Sequence, residues 1–116
     1  MTKYDLTDDG KGKKYDNGKS MVGTLCRVFP RALLAVGKCI EFGTKKYPKP
    51  DNWCLVENGE QRYLDSLMRH LLKHLSGQEV DSETGLPHLY HACWNMLAIT
   101  EFYLKRNREL DEGLFK

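Results

Sequence analysis

Long apolar runs are missing from this chain: none exceeds a handful of residues, and the first residues are polar. That excludes a hydrophobic membrane span and a secretory leader, and it predicts a cytoplasmic protein. The four cysteines, Cys26, Cys39, Cys54 and Cys93, contain no C-x-x-C pair. Zinc-ribbon and dithiol chemistry are thereby excluded, and the apolar helical pattern around two of them predicts reduced, buried thiols. Also absent are a sustained basic helix and aromatics interleaved with Arg or Lys, so nucleic acid is not the expected partner. No internal repeat and no coiled-coil heptad run is present.

What is present is an ordinary globular composition. The 116 residues are 41% hydrophobic and 29% charged, enough for one folded core but not for two. The formal net charge is +2, yet the first 50 residues hold eleven of the eighteen Lys and Arg against five acids. This concentration of positive charge points to a small anionic partner.

Residues 1–28 show no hydrophobic period and read as an N-terminal arm or long loop, leaving 29–116 as a single helical domain. A first helix is expected from Pro30, with Leu33, Val36, Gly37 and Ile40 on one buried face, closing at Gly43. Thr44 to Asn58 reads as a connecting loop anchored by Trp53 and ending in an Asn58-Gly59 turn. A second helix is expected from about Glu60 to Ser76 on the stripe Leu64, Leu67, Met68, Leu71 and Leu75. A third begins at Pro87 and continues on Leu89, Ala92, Cys93, Met96, Ile99 and Tyr103 towards Arg108. The expected fold is therefore all-α: a small bundle of three main helices with a long arm. Such a small core predicts completion by a second copy, as a homodimer or higher homo-oligomer.

The most informative polar residues lie on the third helix. His88, His91 and Asn95 form a line on a helix otherwise almost wholly apolar up to Thr100, and polar groups on a buried helix need partners. Those partners are either loop carbonyls or a ligand held between helices. On the second helix Arg62, Asp65 and Arg69 are spaced for a surface ion-pair ladder, or alternatively for Asp65 to hold a metal or water while the arginines grip phosphate. His70 and His74 share a face at i, i+4, a weak zinc spacing. Glu41, Asp65, Asp81 and Glu83 supply enough carboxylates for one or two Mg2+ ions, although Asp81 and Glu83 also suit the capping of the third helix. The turn Lys14-Tyr15-Asp16-Asn17-Gly18-Lys19 has basic flanks that suit an anion without P-loop spacing. Trp53 beside Asn52 offers either a stacking surface with a polar edge or a plug for the core.

The blocks Lys14-Tyr15-Asp16-Asn17-Gly18-Lys19, Glu41-Phe42-Gly43, Lys46-Tyr47, Asn52-Trp53, Arg62-Tyr63-Leu64-Asp65 and Arg69-His70 occur in one order along the chain. Asp81, Glu83-Thr84-Gly85-Leu86-Pro87-His88-Leu89, His91-Ala92 and Asn95 follow them. In this order and spacing, over about residues 13 to 97, the chain resembles the phage and bacterial dATP/dGTP diphosphohydrolase N-terminal domain family, associated with MazG-like all-α nucleoside triphosphate pyrophosphohydrolases. The resemblance implies an all-α fold and Mg2+-dependent (or Mn2+-dependent) cleavage of a purine deoxynucleoside triphosphate to monophosphate and pyrophosphate. Carried onto this sequence, it places Glu41, Asp65 and Asp81 at the metal. Lys19, Lys46, Asn52, Trp53, Arg62, Arg69, His91 and Asn95 would contact the nucleotide. The reacting groups would be Asp65 with His70 or His88, a histidine serving as the base that positions water. A second reading is a non-catalytic phage nucleotide-binding protein that sequesters a nucleotide signal or regulates a pool. MazG-like enzymes carry paired acids, whereas here Lys38 and Thr44 flank Glu41 at three residues and Arg62 precedes Asp65. A third reading is a helical interaction module whose polar lines stabilise an oligomer interface.

Overall fold

The computed structural model describes residues 10–116, and these are all-helical. The elements are α1 (Val22–Val28), α2 (Pro30–Lys46), a 3-10 helix (Pro50–Leu55), α3 (Gly59–Leu75), α4 (His88–Lys105) and α5 (Arg108–Leu114). No described helix is long and apolar enough to cross a membrane.

Two long antiparallel helices, α3 and α4, form the most extensive contact, and α2 lies across α4. The antiparallel pair is tied at one end by Arg106, whose Nη2 donates to Glu60 Oε1 at 3.0 Å. At the other end the chain turns back through a Schellman motif. Gln78 N–H bonds to the Lys73 carbonyl, Gly77 N–H to that of His74, and Gly77 takes φ +94. The loop that follows folds on itself by an antiparallel bridge between Val80 and Pro87, and the His88 N–H donates to the Glu79 carbonyl at 2.8 Å. This backbone bond satisfies the first turn of α4. Asp81 and Glu83 do not cap it, because no side chain bonds to the α4 N-terminus. Their expected capping role is corrected accordingly.

The segment between α2 and α3 carries the aromatic core. Trp53 on the 3-10 helix meets Tyr63, Trp94 and Phe102 edge-on at 6.4, 6.1 and 5.4 Å between ring centres. Such edge-to-face packing adds to the burial of the rings themselves. Gly59 is buried where α3 starts, with the Phe102 ring against it: a Cβ there would lie 2.8 Å from Cζ.

Other expectations change in detail. The arm is not wholly irregular, since residues 22–28 are helical and Pro30, lacking an N–H, separates α1 from α2. The first long helix runs through Gly43 to Lys46, and the C-terminal stripe breaks at Arg106 into a separate α5. The cysteines are free thiols, but Cys26 and Cys93 are exposed rather than buried. The α2 face is covered only at Val36, leaving Ile40 47% exposed. Among the described residues the buried apolar side chains are Val36, Leu67, Ala92 and Ala98, and the described chain is elongated at 61 × 29 × 28 Å.

Candidate functional site

A cleft of about 480 Å3 opens where the end of α2, the loop after it and the 3-10 helix face α3 and α4. Each wall contributes a distinct chemistry. Lys46 and Lys49 stand on the α2 side; Arg62, Ser66, Arg69 and His70 recur at three- and four-residue spacing on α3; His91, Trp94 and Asn95 come from α4. Among the described residues four cations line the cleft and no carboxylate does.

The ion-pair ladder expected on α3 does not form. Asp65 Oδ1 accepts from Gln61 Nε2 at 3.0 Å, and Arg62 Nη1 reaches the Glu57 carbonyl at 3.5 Å. Arg69 has no ion pair or hydrogen-bonding partner for its guanidinium among the described residues, and Lys46 donates to Glu83 Oε1 at 3.1 Å on the exposed rim. An unpaired guanidinium at a cleft wall is free to make bidentate bonds to phosphate oxygens.

Behind the cleft lies a hydrogen-bonded network whose protons can be placed. The Thr84 hydroxyl donates to Asp81 Oδ2 at 2.9 Å, so its oxygen accepts from the Leu86 N–H at 3.2 Å and from His91 Nε2 at 2.7 Å. His91 therefore carries its proton on Nε2. Its Nδ1 is left to accept the Cys39 thiol, with Sγ at 3.8 Å. Burial, with Cys93 nearby, pushes that thiol up to about 11, so it stays protonated and able to donate. Burial raises the Asp81 carboxyl, but bonds from Thr84 and the Glu83 N–H, with His91 and His70 close by, outweigh it and hold the group below its ordinary range.

His70 stacks on His91 with centroids 4.7 Å apart, and its Nδ1 is 2.8 Å from Nδ1 of His88. Burial lowers His70 to about 4, helped by His91, His88 and Lys73 against the pull of Asp81; burial lowers His91 as well. Both rings are neutral near pH 7. His88 is 2% exposed and sits behind His70, where it orients that ring instead of meeting a ligand. The line His88, His91, Asn95 on α4 thus faces inward, as its polar pattern on an apolar helix required.

Of the residues singled out in the sequence, Lys46, Asn52, Trp53, Arg62, Arg69, His70, His91 and Asn95 meet on the cleft. Lys19, in the turn before α1, does not line it, nor do Glu41, Asp65, Asp81 and His88. Glu41 pairs with Lys45 at 3.3 Å, and Asp81 is held by Thr84 and His91. No group of three or more His, Cys, Asp or Glu among the described residues is placed to hold a metal ion. Glu41, Asp65 and Asp81 are thus not gathered into one set of oxygen ligands among the described residues. Lys49 and Trp94 were missed. The Pro48-Lys49-Pro50 step could have revealed Lys49 as a cation fixed in place, and Trp94 is the neighbour of Asn95 in the buried polar line.

Fold and cleft together define an all-α protein with a cation-lined, aromatic-walled site between helices. The chain belongs to the dATP/dGTP diphosphohydrolase, N-terminal family, whose model matches residues 9–112. It is similar to a dATP/dGTP diphosphohydrolase of Salmonella phage PMBT28, 34% identical over 97 residues that cover 84% of this chain and 31% of that relative. The chain thus spans about a third of the length of this relative. No solved structure matches it.

Proposed function

We propose that the cleft binds a purine deoxynucleoside triphosphate and that the chain serves its hydrolysis to monophosphate and pyrophosphate. The observation that carries this reading is the wall of Lys46, Lys49, Arg62 and Arg69 without a carboxylate among them. Lys49, Arg62 and Arg69, with Lys46 shared with Glu83 on the rim, make this opening electropositive, and a triphosphate supplies a matching negative charge. The aromatic side of the cleft, Trp53 and Trp94, suits the base. The relative's name, dATP/dGTP diphosphohydrolase, supports a nucleotide as the anion.

In the reaction, water oxygen attacks the α-phosphorus, the bond from that phosphorus to the bridging oxygen breaks, and pyrophosphate leaves with that oxygen. Arg62 and Arg69 stabilise charge on the phosphate oxygens. The proton released by water needs an acceptor. With its Nδ1 proton donated to His88, His70 would present an Nε2 lone pair, unpartnered among the described residues, that orients the water and takes its proton only in passing, because burial holds the protonated ring near 4. Mg2+ would accompany the triphosphate, sharing its charge with the cations of the cleft.

A second reading, binding without turnover, is favoured by the scattering of Glu41, Asp65 and Asp81. One titration separates the two. dATP, dGTP, dCTP and dTTP are added with and without Mg2+, heat of binding is measured by calorimetry, and pyrophosphate release is followed in parallel. Binding with release supports the hydrolase; binding with no release across the panel supports the sequestering protein. Absence of heat with every nucleotide rejects both.

A further inference from the structure

Asn95 is 4% exposed, yet it lines the cleft. Its Nδ2 donates to the His91 carbonyl at 2.7 Å, which fixes the amide orientation, because a carbonyl accepts and cannot donate. The Oδ1 atom makes no hydrogen bond within the described chain. No buried side-chain oxygen or nitrogen lacks a partner, so this Oδ1 is reached from the open space of the cleft. An acceptor that is nearly buried yet opens onto the cleft takes a water there in the free protein and offers that position to a donor on a ligand.

Phosphate oxygens are not that donor. Neither is the His91 ring, whose two nitrogens are committed to Thr84 and Cys39. When a nucleotide displaces the water at Oδ1, the group able to replace it is an N–H or O–H outside the phosphates. Asn95 is followed in the cleft wall by aromatic carbon: Trp94 is its neighbour, and Trp53 meets Trp94 edge-on. That environment fits a heterocycle better than a hydrated sugar.

We infer that Asn95 is the residue that reads the base, its Oδ1 accepting from the N–H at the 6-position edge of a purine while its spare Nδ2 hydrogen donates to the adjacent ring or exocyclic acceptor. Adenine offers N6–H beside N1 or N7, and guanine N1–H beside O6, so one fixed amide satisfies both. The inference rests on the nucleotide reading above.

The test uses Asn95→Thr. A threonine hydroxyl can bond back to the carbonyl four residues earlier, as Thr100 does to Met96 at 2.7 Å on this same helix, so the variant keeps the helix bond and loses the amide edge. Calorimetry then compares dATP, dGTP, 2′,3′-dideoxyATP, the triphosphate of 6-unsubstituted purine deoxyriboside and inorganic tripolyphosphate. The expected result is roughly five- to tenfold weaker dATP and dGTP binding by Asn95→Thr. Tripolyphosphate should stay within about twofold, and the 6-unsubstituted analogue should bind both proteins as weakly as dATP binds the variant. Equal losses for tripolyphosphate, an unchanged affinity for dATP, or a loss that follows the 3′-hydroxyl in the dideoxy arm overturns the inference. Wild-type protein that binds tripolyphosphate but no nucleotide more tightly refutes the base reading and leaves the anion site. Wild-type protein that binds neither refutes the nucleotide reading itself.

Discussion

Nδ1 of His70 and Nδ1 of His88 face each other at 2.8 Å across the α3–α4 interface, a distance that accommodates one proton between them and not two. Burial of His70, with His91 stacked on it and His88 at this contact, makes acid destabilising. His70 titrates at about 4 in the fold, against about 6.5 in an unfolded chain. Between those values the unfolded state binds a proton that the folded state refuses, so stability falls as pH drops. His91, lowered by burial, acts in the same direction, and the depressed Asp81 carboxyl extends the loss to still lower pH. Melting temperature should be flat between about pH 6.5 and pH 8 and decline towards about pH 4. His70→Gln should flatten much of that decline. A melting temperature that rises on acidification would contradict the proton placement.

Arg69 predicts a separation of binding from folding. Because its guanidinium has no partner in the described chain, Arg69→Ala should leave the melting temperature of the free protein unchanged. Charge-assisted bonds to phosphate are worth about 1.5–3 kcal/mol, so triphosphate binding should weaken by roughly ten- to hundredfold. The same loss should appear with tripolyphosphate, and it should shrink as salt is raised. Unchanged calorimetric affinity would remove Arg69 from the site.

The three long helices were legible because α3 and α4 repeat their apolar residues at helical spacing, and the Asn58-Gly59 and Gly77 signals marked real boundaries. The inward line of His88, His91 and Asn95 was legible for the same reason: polar groups stood out against an apolar helix. The helical turn at 22–28 was missed although Val22, Leu25, Cys26 and Phe29 fall at helical spacing, because the run is short, follows a glycine-rich stretch and buries nothing. The Asp81–Thr84–His91–Cys39 network was hidden for another reason. It joins residues up to 52 positions apart, and only the loop that folds back before α4 brings them together. Spacing along one helix cannot report such contacts. Spacing also suggested an ion-pair ladder on α3, where the cleft instead leaves Arg69 unpaired.

Gly59 and Gly37 give opposite expectations for the same substitution. At Gly59 an added methyl meets Phe102 Cζ at 2.8 Å and Cε2 at 3.1 Å, and that ring is locked against Trp53 and Tyr63. Gly59→Ala should cost about 1–3 kcal/mol by overpacking. At Gly37, inside α2, nothing lies within 4 Å, so Gly37→Ala should gain up to about 1 kcal/mol of helix propensity. Denaturant melts of both variants measure the two signs. A neutral Gly59→Ala would mean that the aromatic cluster yields.

The apolar stripes left outside the fold carry the last prediction. Leu64, Met68, Leu72 and Leu75 run along α3 at 40%, 46%, 61% and 72% exposure, and Leu89, Met96 and Tyr103 run along α4 at 46%, 51% and 43%. The radius of gyration is 19.2 Å, against about 13 Å for a compact chain of this length. Apolar stripes on paired helices are stabilised by a matching pair, which a second copy supplies through a two-fold interface. We therefore expect light scattering after size exclusion to return at least twice the 13.4 kDa chain mass. Replacing Met68 and Leu72 together by Glu puts two charges into the centre of that interface and should return the mass to a single chain. Because neither residue lines the cleft, tripolyphosphate binding should survive in the charged variant. A wild-type mass of one chain at about 100 µM would show that α3 and α4 are not self-complementary.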